Sequence, residues 1–188
     1  WIDVDESYEE VKFYVCTLAE PFTCYAPQKV TRDEADANGD GLRDARKDEF
    51  IEVYNNGLTD IDISGWTLRA VTNVLYAFAP GTILTGETAV VVFGGVDANA
   101  PNGGITGVFG GSQVLVSVPD WAPGLSNGGT DVNIRNDAGL LIRSFNYSGI
   151  GVDDQSITRD PDITGDFEAH STADGSGFTL YSPGTFIN

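Results

Sequence analysis

Residues 36–44 read Asp-Ala-Asn-Gly-Asp-Gly-Leu-Arg-Asp. Oxygen donors fall on alternate residues: the side chains of Asp36, Asn38 and Asp40, the Leu42 carbonyl, and then Asp44. Calcium takes about six to eight oxygen ligands in flexible geometry, and Gly41 holds the sixth place, where a calcium loop turns sharply. An EF-hand closes its loop with a bidentate glutamate at the twelfth place, which is Lys47 here. A simple EF-hand is therefore excluded. Asp48 or Glu49, just beyond Lys47, is expected to complete the shell. The expected cofactor is Ca2+, held by Asp36, Asn38, Asp40, Leu42, Asp44, Asp48 and Glu49. Its expected role is to pin a loop that charge repulsion would otherwise loosen. The plainer alternative is a pair of Asn-Gly and Asp-Gly turns with solvated acids. Magnesium suits the tract less, because it keeps its waters and seldom uses an all-protein cage.

Other chemistry is thinly represented. His170 is the one histidine. Catalytic zinc draws on several histidines, or on His with Cys or Glu. A Ser-His-Asp triad would have to use His170, yet no Gly-x-Ser-x-Gly elbow precedes it. His170 is expected at the surface or in a loop, and no catalytic residue is assigned. Asp153, Asp154, Asp160 and Asp162 form a second acidic cluster, a weaker metal candidate. Asn146-Tyr147-Ser148 is an N-glycosylation sequon within a strand candidate. Among Trp1, Trp66 and Trp121, the loop residue Trp121 is the best candidate for an exposed ligand contact, such as sugar stacking. Its alternative is a loop anchor packed on the core. Trp66 is expected to be a core aromatic.

The elements that must position these residues are short strands. The chain has 188 residues, 41% of them hydrophobic, with 23 glycines and 8 prolines, which suits one turn-rich, all-β domain with an added arm. Glu10–Cys16 alternates, with Val11, Phe13 and Val15 on one side, as a strand does. Pro21 and Pro27 then break the chain. Cys16 and Cys24 could staple that loop and restrict the unfolded chain by about 2–3 kcal/mol. Further strands are predicted at Asp48–Tyr54, Ile61–Leu68, Val74–Phe78, Thr88–Phe93, Val114–Val118, Asp131–Arg135, Leu140–Tyr147 and Gly177–Tyr181. Thr88–Phe93 is nearly all apolar, as expected of a strand covered on both faces. Asn136-Asp137-Ala138-Gly139 is the expected hairpin turn. No helix-length 3.6 periodicity stands out. Many short strands of this spacing suggest a two-sheet sandwich.

The charge balance narrows the partners. Ten basic against 28 acidic residues give a formal net charge of -18. A nucleic-acid partner is not expected, because phosphate contacts need a basic face. Divalent cations are favoured by the same balance. No apolar run approaches the roughly 20 residues needed to span a bilayer. The acidic oxygen ligands, the few lysines and the cysteine pair together point to an oxidising, extracellular or cell-surface setting. The Trp1 start, with no Met in the chain, suggests a processed chain or a fragment.

The segment Asp48-Glu49-Phe50-Ile51-Glu52-Val53-Tyr54-Asn55-Asn56-Gly57, followed by Ile61-Asp62-Ile63-Ser64-Gly65-Trp66-Thr67-Leu68, resembles the opening of the lamin-tail domain of bacterial secreted proteins. Phe78-Ala79-Pro80-Gly81-Thr82-Ile83-Leu84 fits the same pattern. So do Leu125–Asp131 with Val132 and Ile134, Asp154–Asp162, and the ending Ser182-Pro183-Gly184-Thr185. The resemblance covers about residues 36–188. It implies an immunoglobulin-like β-sandwich that binds, docks or assembles, with no catalytic residues to carry over. Bacterial members often carry an aspartate-rich tract before the Glu-Phe-Ile-Glu strand. The apolar strand ending in Asn-Glu that usually precedes that tract is missing, and Gln28–Arg32 stands in its place.

The expected organisation is an N-terminal arm, residues 1–30, and a lamin-tail-like sandwich, residues 31–188. The expected function is a non-catalytic, calcium-stabilised structural module. Its partners would be copies of itself, in a homo-oligomer or filament, or other surface proteins. The N-terminal strand would complete a neighbour's sheet by β-augmentation. The alternative is a glycan-binding or adhesion accessory module contacting polysaccharide; a hydrolase ranks below both.

Overall fold

The computed structural model describes residues 13–14, 26–27, 36–148, 150 and 155–187. Cys16, Cys24, Asp153 and Asp154 lie outside the described residues, as does most of the arm. The strands are β1 (Phe13–Tyr14), β2 (Ala26–Pro27), β3 (Phe50–Asn55), β4 (Ile61–Asp62), β5 (Thr67–Ala70), β6 (Asn73–Ala77), β7 (Ile83–Leu84), β8 (Ala89–Phe93), β9 (Gln113–Val116), β10 (Asp131–Arg135), β11 (Leu141–Asn146), β12 (Ser156–Asp160) and β13 (Asp166–Ala169). A single 3-10 turn, His170–Thr172, is the one helical element among them. No helix among the described residues is long and apolar enough to cross a membrane.

Two four-stranded sheets face each other, one ordered β1-β3-β8-β9 and the other β11-β10-β5-β6. The alternation of side chains across a strand explains the core. Ile51 and Val53 of β3 and Val90 and Val92 of β8 point inward, where they meet Leu68, Leu75, Val132, Ile134 and Phe145 of the second sheet. This is the two-sheet sandwich that the turn-rich pattern predicts, and it agrees with the immunoglobulin-like fold that the family resemblance implies.

The other face of the first sheet is covered as well. Phe50, Val91 and Phe93 pack there with Ala37 and Phe109, and Ile105, Val114 and Tyr181 press against them. Every residue of β3 and β8 is consequently buried. The expectation of a strand covered on both faces holds for β8. The layer that covers it comes from two distant segments, the loop after β8 and the chain beyond residue 180.

That loop is long for a topological reason. β8 and β9 run parallel, with Val90 opposite Gln113 and Phe93 opposite Val116. A parallel pair cannot be closed by a hairpin and needs a crossover of a dozen residues or more. The glycine-rich segment 94–112 is this crossover.

Some predicted elements differ in place or kind. Ile61–Leu68 is two strands rather than one, divided at Ser64-Gly65, where the sequence suggests a bulge or turn, since β4 pairs with β7 while β5 pairs with β10 and β6. Gly177–Tyr181 is a turn rather than a strand, although the Leu180 carbonyl accepts the Ser156 N–H at 2.8 Å. The hairpin at Asn136–Gly139 joins β10 to β11 as expected. A third sheet, β13-β12-β2, was not predicted for the region after residue 150.

Candidate metal centre

The acidic tract enters β3 directly, and its local geometry follows from its side-chain oxygens. Asp and Asn bond their own backbone a few residues on, which folds the chain into successive turns. The Asp36 Oδ2 accepts the Gly41 N–H at 2.8 Å. Asn38 Oδ1 accepts the Asp40 N–H at 2.8 Å, and Asp40 Oδ1 accepts the Leu42 N–H at 2.8 Å. Asp44 Oδ1 accepts the Arg46 and Lys47 N–H groups at 3.0 and 3.2 Å. Gly41 sits at φ +91°, a conformation closed to most side chains, so the sharp turn depends on it.

Asp48 ties the two ends of the tract together. Its Oδ1 accepts the Asn38 N–H at 3.2 Å and its Oδ2 the Asp44 N–H at 2.7 Å. Asn38, Asp40 and Asp48 are all buried. Burial raises the Asp48 carboxyl to about 6 against the pull of those two N–H groups, and the nearby charges of Asp36 and Asp40 add to the rise. Asp36 Oδ1 is buried and has no hydrogen-bond partner among the described residues. A carboxylate oxygen so placed, next to two further carboxylates, is an incomplete arrangement that a cation would complete.

The tract is also knitted to the crossover. Asp40 Oδ2 accepts the Asp97 N–H at 2.8 Å. The Gly39 carbonyl accepts Thr106 Oγ1 at 2.6 Å and Asn102 Nδ2 at 3.1 Å. Lys47, in the place of the EF-hand glutamate, supplies an internal cation instead. Its Nζ lies 2.8 Å from Asp97 and 3.9 Å from both Asp44 and Asp120.

Asp36, Asn38, Asp40, Asp44 and Asp48 are linked to one another through backbone N–H groups of the tract, in one run of turns that includes Leu42. Glu49 does not join them. Its Oε2 instead accepts the Leu125 N–H at 2.8 Å. Among the described residues no three His, Cys, Asp or Glu side chains converge as a ready metal-holding group. Any ion here would lean on the Asn38 amide and on backbone carbonyls, as calcium does and zinc does not.

Three further sequence candidates are relocated. Trp121 is 2% exposed and sits in the main core, with its backbone N–H donating to the Gly94 carbonyl at 2.9 Å. The expectation that it forms an exposed ligand contact is corrected: the indole packs into the core between the two sheets, as the loop-anchor alternative has it. His170 is fully buried, not on the surface. Its Nδ1 lies 2.9 Å from the Thr179 carbonyl, which only accepts, so that nitrogen carries the proton and Nε2 accepts the Ser182 hydroxyl at 2.7 Å. Burial holds its pKa below the usual imidazole value. Of the second acidic cluster, Asp160 and Asp162 accept the backbone N–H groups of Asp174 and Ile187 and so fasten the chain that follows. Trp66 is half-buried at the margin of the core.

A buried carboxylate on β3 has no counterpart among the expectations. Glu52 is 3% exposed and faces the second, outer cluster. Alternation with Ile51 and Val53 could have flagged it, since an acid between two core residues on a doubly covered strand has no water to face.

The family model for the Lamin Tail Domain matches residues 25–149. With the sandwich described above, this places the chain in the lamin tail domain family, whose fold is immunoglobulin-like. No curated protein matches the chain. The match begins eleven residues before Asp36 and stops before β12, whereas the sequence resemblance runs from 36 to 188.

Proposed function

We propose that this chain is a non-catalytic, extracellular structural module that assembles with copies of itself, rigidified by calcium in the 36–48 tract. The observation that carries the assembly reading is the edge of the first sheet. There β1 pairs with β3, Phe13 opposite Asn55 and Tyr14 opposite Tyr54 among the described residues. An edge strand contributed from the chain's N-terminal arm can be exchanged for the same strand of a neighbour. Repeated exchange gives a filament.

The family supports a module without chemistry of its own. The buried state of the sole imidazole agrees, since both its nitrogens are engaged with Thr179 and Ser182. Asp36, Asn38, Asp40, Asp44, Asp48 and the Leu42 carbonyl would hold the ion. Calcium would neutralise the charge that these acids concentrate, and the tract would hold the crossover in turn.

Removal of residues 1–18 tests the reading. Light scattering and electron microscopy should show loss of higher assemblies with the melting behaviour of the sandwich retained. Assemblies that persist unchanged would refute strand exchange.

A further inference from the structure

We propose that residues 179–187 form a pH-gated strap across the sandwich, closed in mildly acid solution and loosened in alkaline solution, with Glu52, Asp162 and His170 as its locks. The strap needs neither a second copy nor an ion.

The first observation is how lightly the segment is held. It contains no strand, and its own backbone bonds are local, from the Thr179 N–H to the Ser176 carbonyl and from the Thr185 N–H to the Ser182 carbonyl. Thr179 and Thr185 are exposed, and Phe186 is about half exposed. Its apolar anchors are Tyr181, which presses on the outer cluster, and the Phe186 ring against Tyr54. The Ser156 N–H bonds the Leu180 carbonyl at 2.8 Å, and Ser112 Oγ bonds the Gly184 carbonyl at 3.1 Å. A segment with so few apolar contacts opens at lower free energy than the strands beneath it.

The second observation is what locks it. Three buried ionisable side chains, from three places in the fold, each bond the segment. His170, in the 3-10 turn, engages the Thr179 carbonyl and the Ser182 hydroxyl through its two nitrogens. Glu52, in β3, accepts the Gly184 N–H at 2.8 Å. Asp162, between β12 and β13, accepts the Ile187 N–H. Lifting the segment strips all three of these partners and lets water reach the side chains.

Burial favours the neutral form of a carboxyl and of an imidazole alike. It raises Glu52 to about 8, against the Gly184 N–H, and the Asp162 charge adds to the rise. It lowers His170 below 6.5, against the Thr179 bond and the same Asp162 charge. Tyr54, two residues from Glu52 on β3, also feels the Glu52 charge. The closed strap therefore covers a protonated Glu52 and a neutral His170. Once it opens, Glu52 is free to ionise above 4.5 and His170 to take up a proton below 6.5. Either exchange of one proton shifts the opening constant by up to about tenfold per pH unit. Just below pH 6.5 the two exchanges offset each other. Between 6.5 and about 8 Glu52 acts alone, and the strap loosens about tenfold over this window.

Amide hydrogen exchange of the full chain, corrected for the intrinsic rate at each pH, tests this. The Gly184 and Ile187 amides should exchange about tenfold or more faster than the bonded amides of β3 and β8. Their protection should stay level just below pH 6.5 and fall about tenfold between 6.5 and 8. Glu52→Gln should abolish that fall and leave protection that declines toward acid pH instead. His170→Gln should extend the fall to below pH 6.5. If His170→Gln unfolds, the unsubstituted chain and Glu52→Gln still decide. Protection equal to that of β3 and β8 at every pH would overturn the proposal, because the segment would then leave only with the whole sandwich. Protection that is level from 6.5 to 8, or that falls equally in Glu52→Gln, would overturn it as well.

Discussion

The carboxylate of Glu52 accepts the backbone N–H of Gly184 at 2.8 Å, joining the middle of β3 to a position 132 residues further on. The bond lies under the segment that closes the outer layer, where Phe186 also meets the Tyr54 ring edge-on at 5.2 Å. The final turn of the chain is therefore held from within the sheet by an acid that has left water.

That acid makes stability fall with rising pH. Burial raises Glu52 from 4.5 to about 8, against the pull of the Gly184 N–H and with help from the Asp162 charge. The folded state binds this proton more tightly than the unfolded chain does. Its contribution is fully present below about pH 4.5 and is lost as pH climbs through about 8. Urea midpoints across this window should decline, and Glu52→Gln, which keeps an acceptor for Gly184 and carries no charge, should flatten the decline. An equal slope in the variant would assign it to other groups.

Calcium should stabilise the protein, by about 2.7 kcal/mol at a hundred times its dissociation constant. Asp36→Ala should remove most of that gain while costing the metal-free protein little. Among the described residues Asp36 Oδ1 makes no hydrogen bond to lose, and the Gly41 N–H at Oδ2 is the one side-chain bond released. Calorimetric titration and melting with and without a chelator measure both quantities. A melting temperature unmoved by calcium in the unsubstituted protein would remove the ion from the proposal.

Trp121→Ala should cost about 3–5 kcal/mol, as a large aromatic removed from a packed core does. The indole is buried among the residues between the sheets, so the loss should appear in denaturant midpoints. A surface contact for sugar would instead leave stability nearly unchanged. A ΔΔG near zero would contradict the packing described.

The sandwich was legible because its strands announce themselves locally. Asp48–Tyr54 and Thr88–Phe93 are bounded by turn residues and have the apolar content of covered strands, and both lie within two residues of β3 and β8. The tract 36–44 was legible for the same reason: its bonds run mostly between residues two to five apart. What escaped depends on chain returning from far away. His170 stands among polar neighbours, and only the return of 179–182 buries it. Trp121 lies between prolines, which suggest an exposed loop, yet its burial is decided by the gap between two sheets. β12 carries Arg159 and Asp160, which disguise a strand, while Ile157 at its centre is wholly buried. Glu49 adjoins the tract along the chain, yet its carboxylate is taken up by the backbone N–H of Leu125, 76 residues further on.

The doubly covered pair β3 and β8 carries a consequence for the history of this chain. Elsewhere in an antiparallel sandwich, alternate positions face water and are free to vary. From Phe50 to Asn55 and from Ala89 to Phe93 no position has that freedom. Mutational drift should collect instead in β6 and β11, whose outward residues Val74 and Leu141 are each about half exposed. A lineage of such proteins would keep its strongest sequence signature in these two inner strands for reasons of packing alone, whatever its members came to bind.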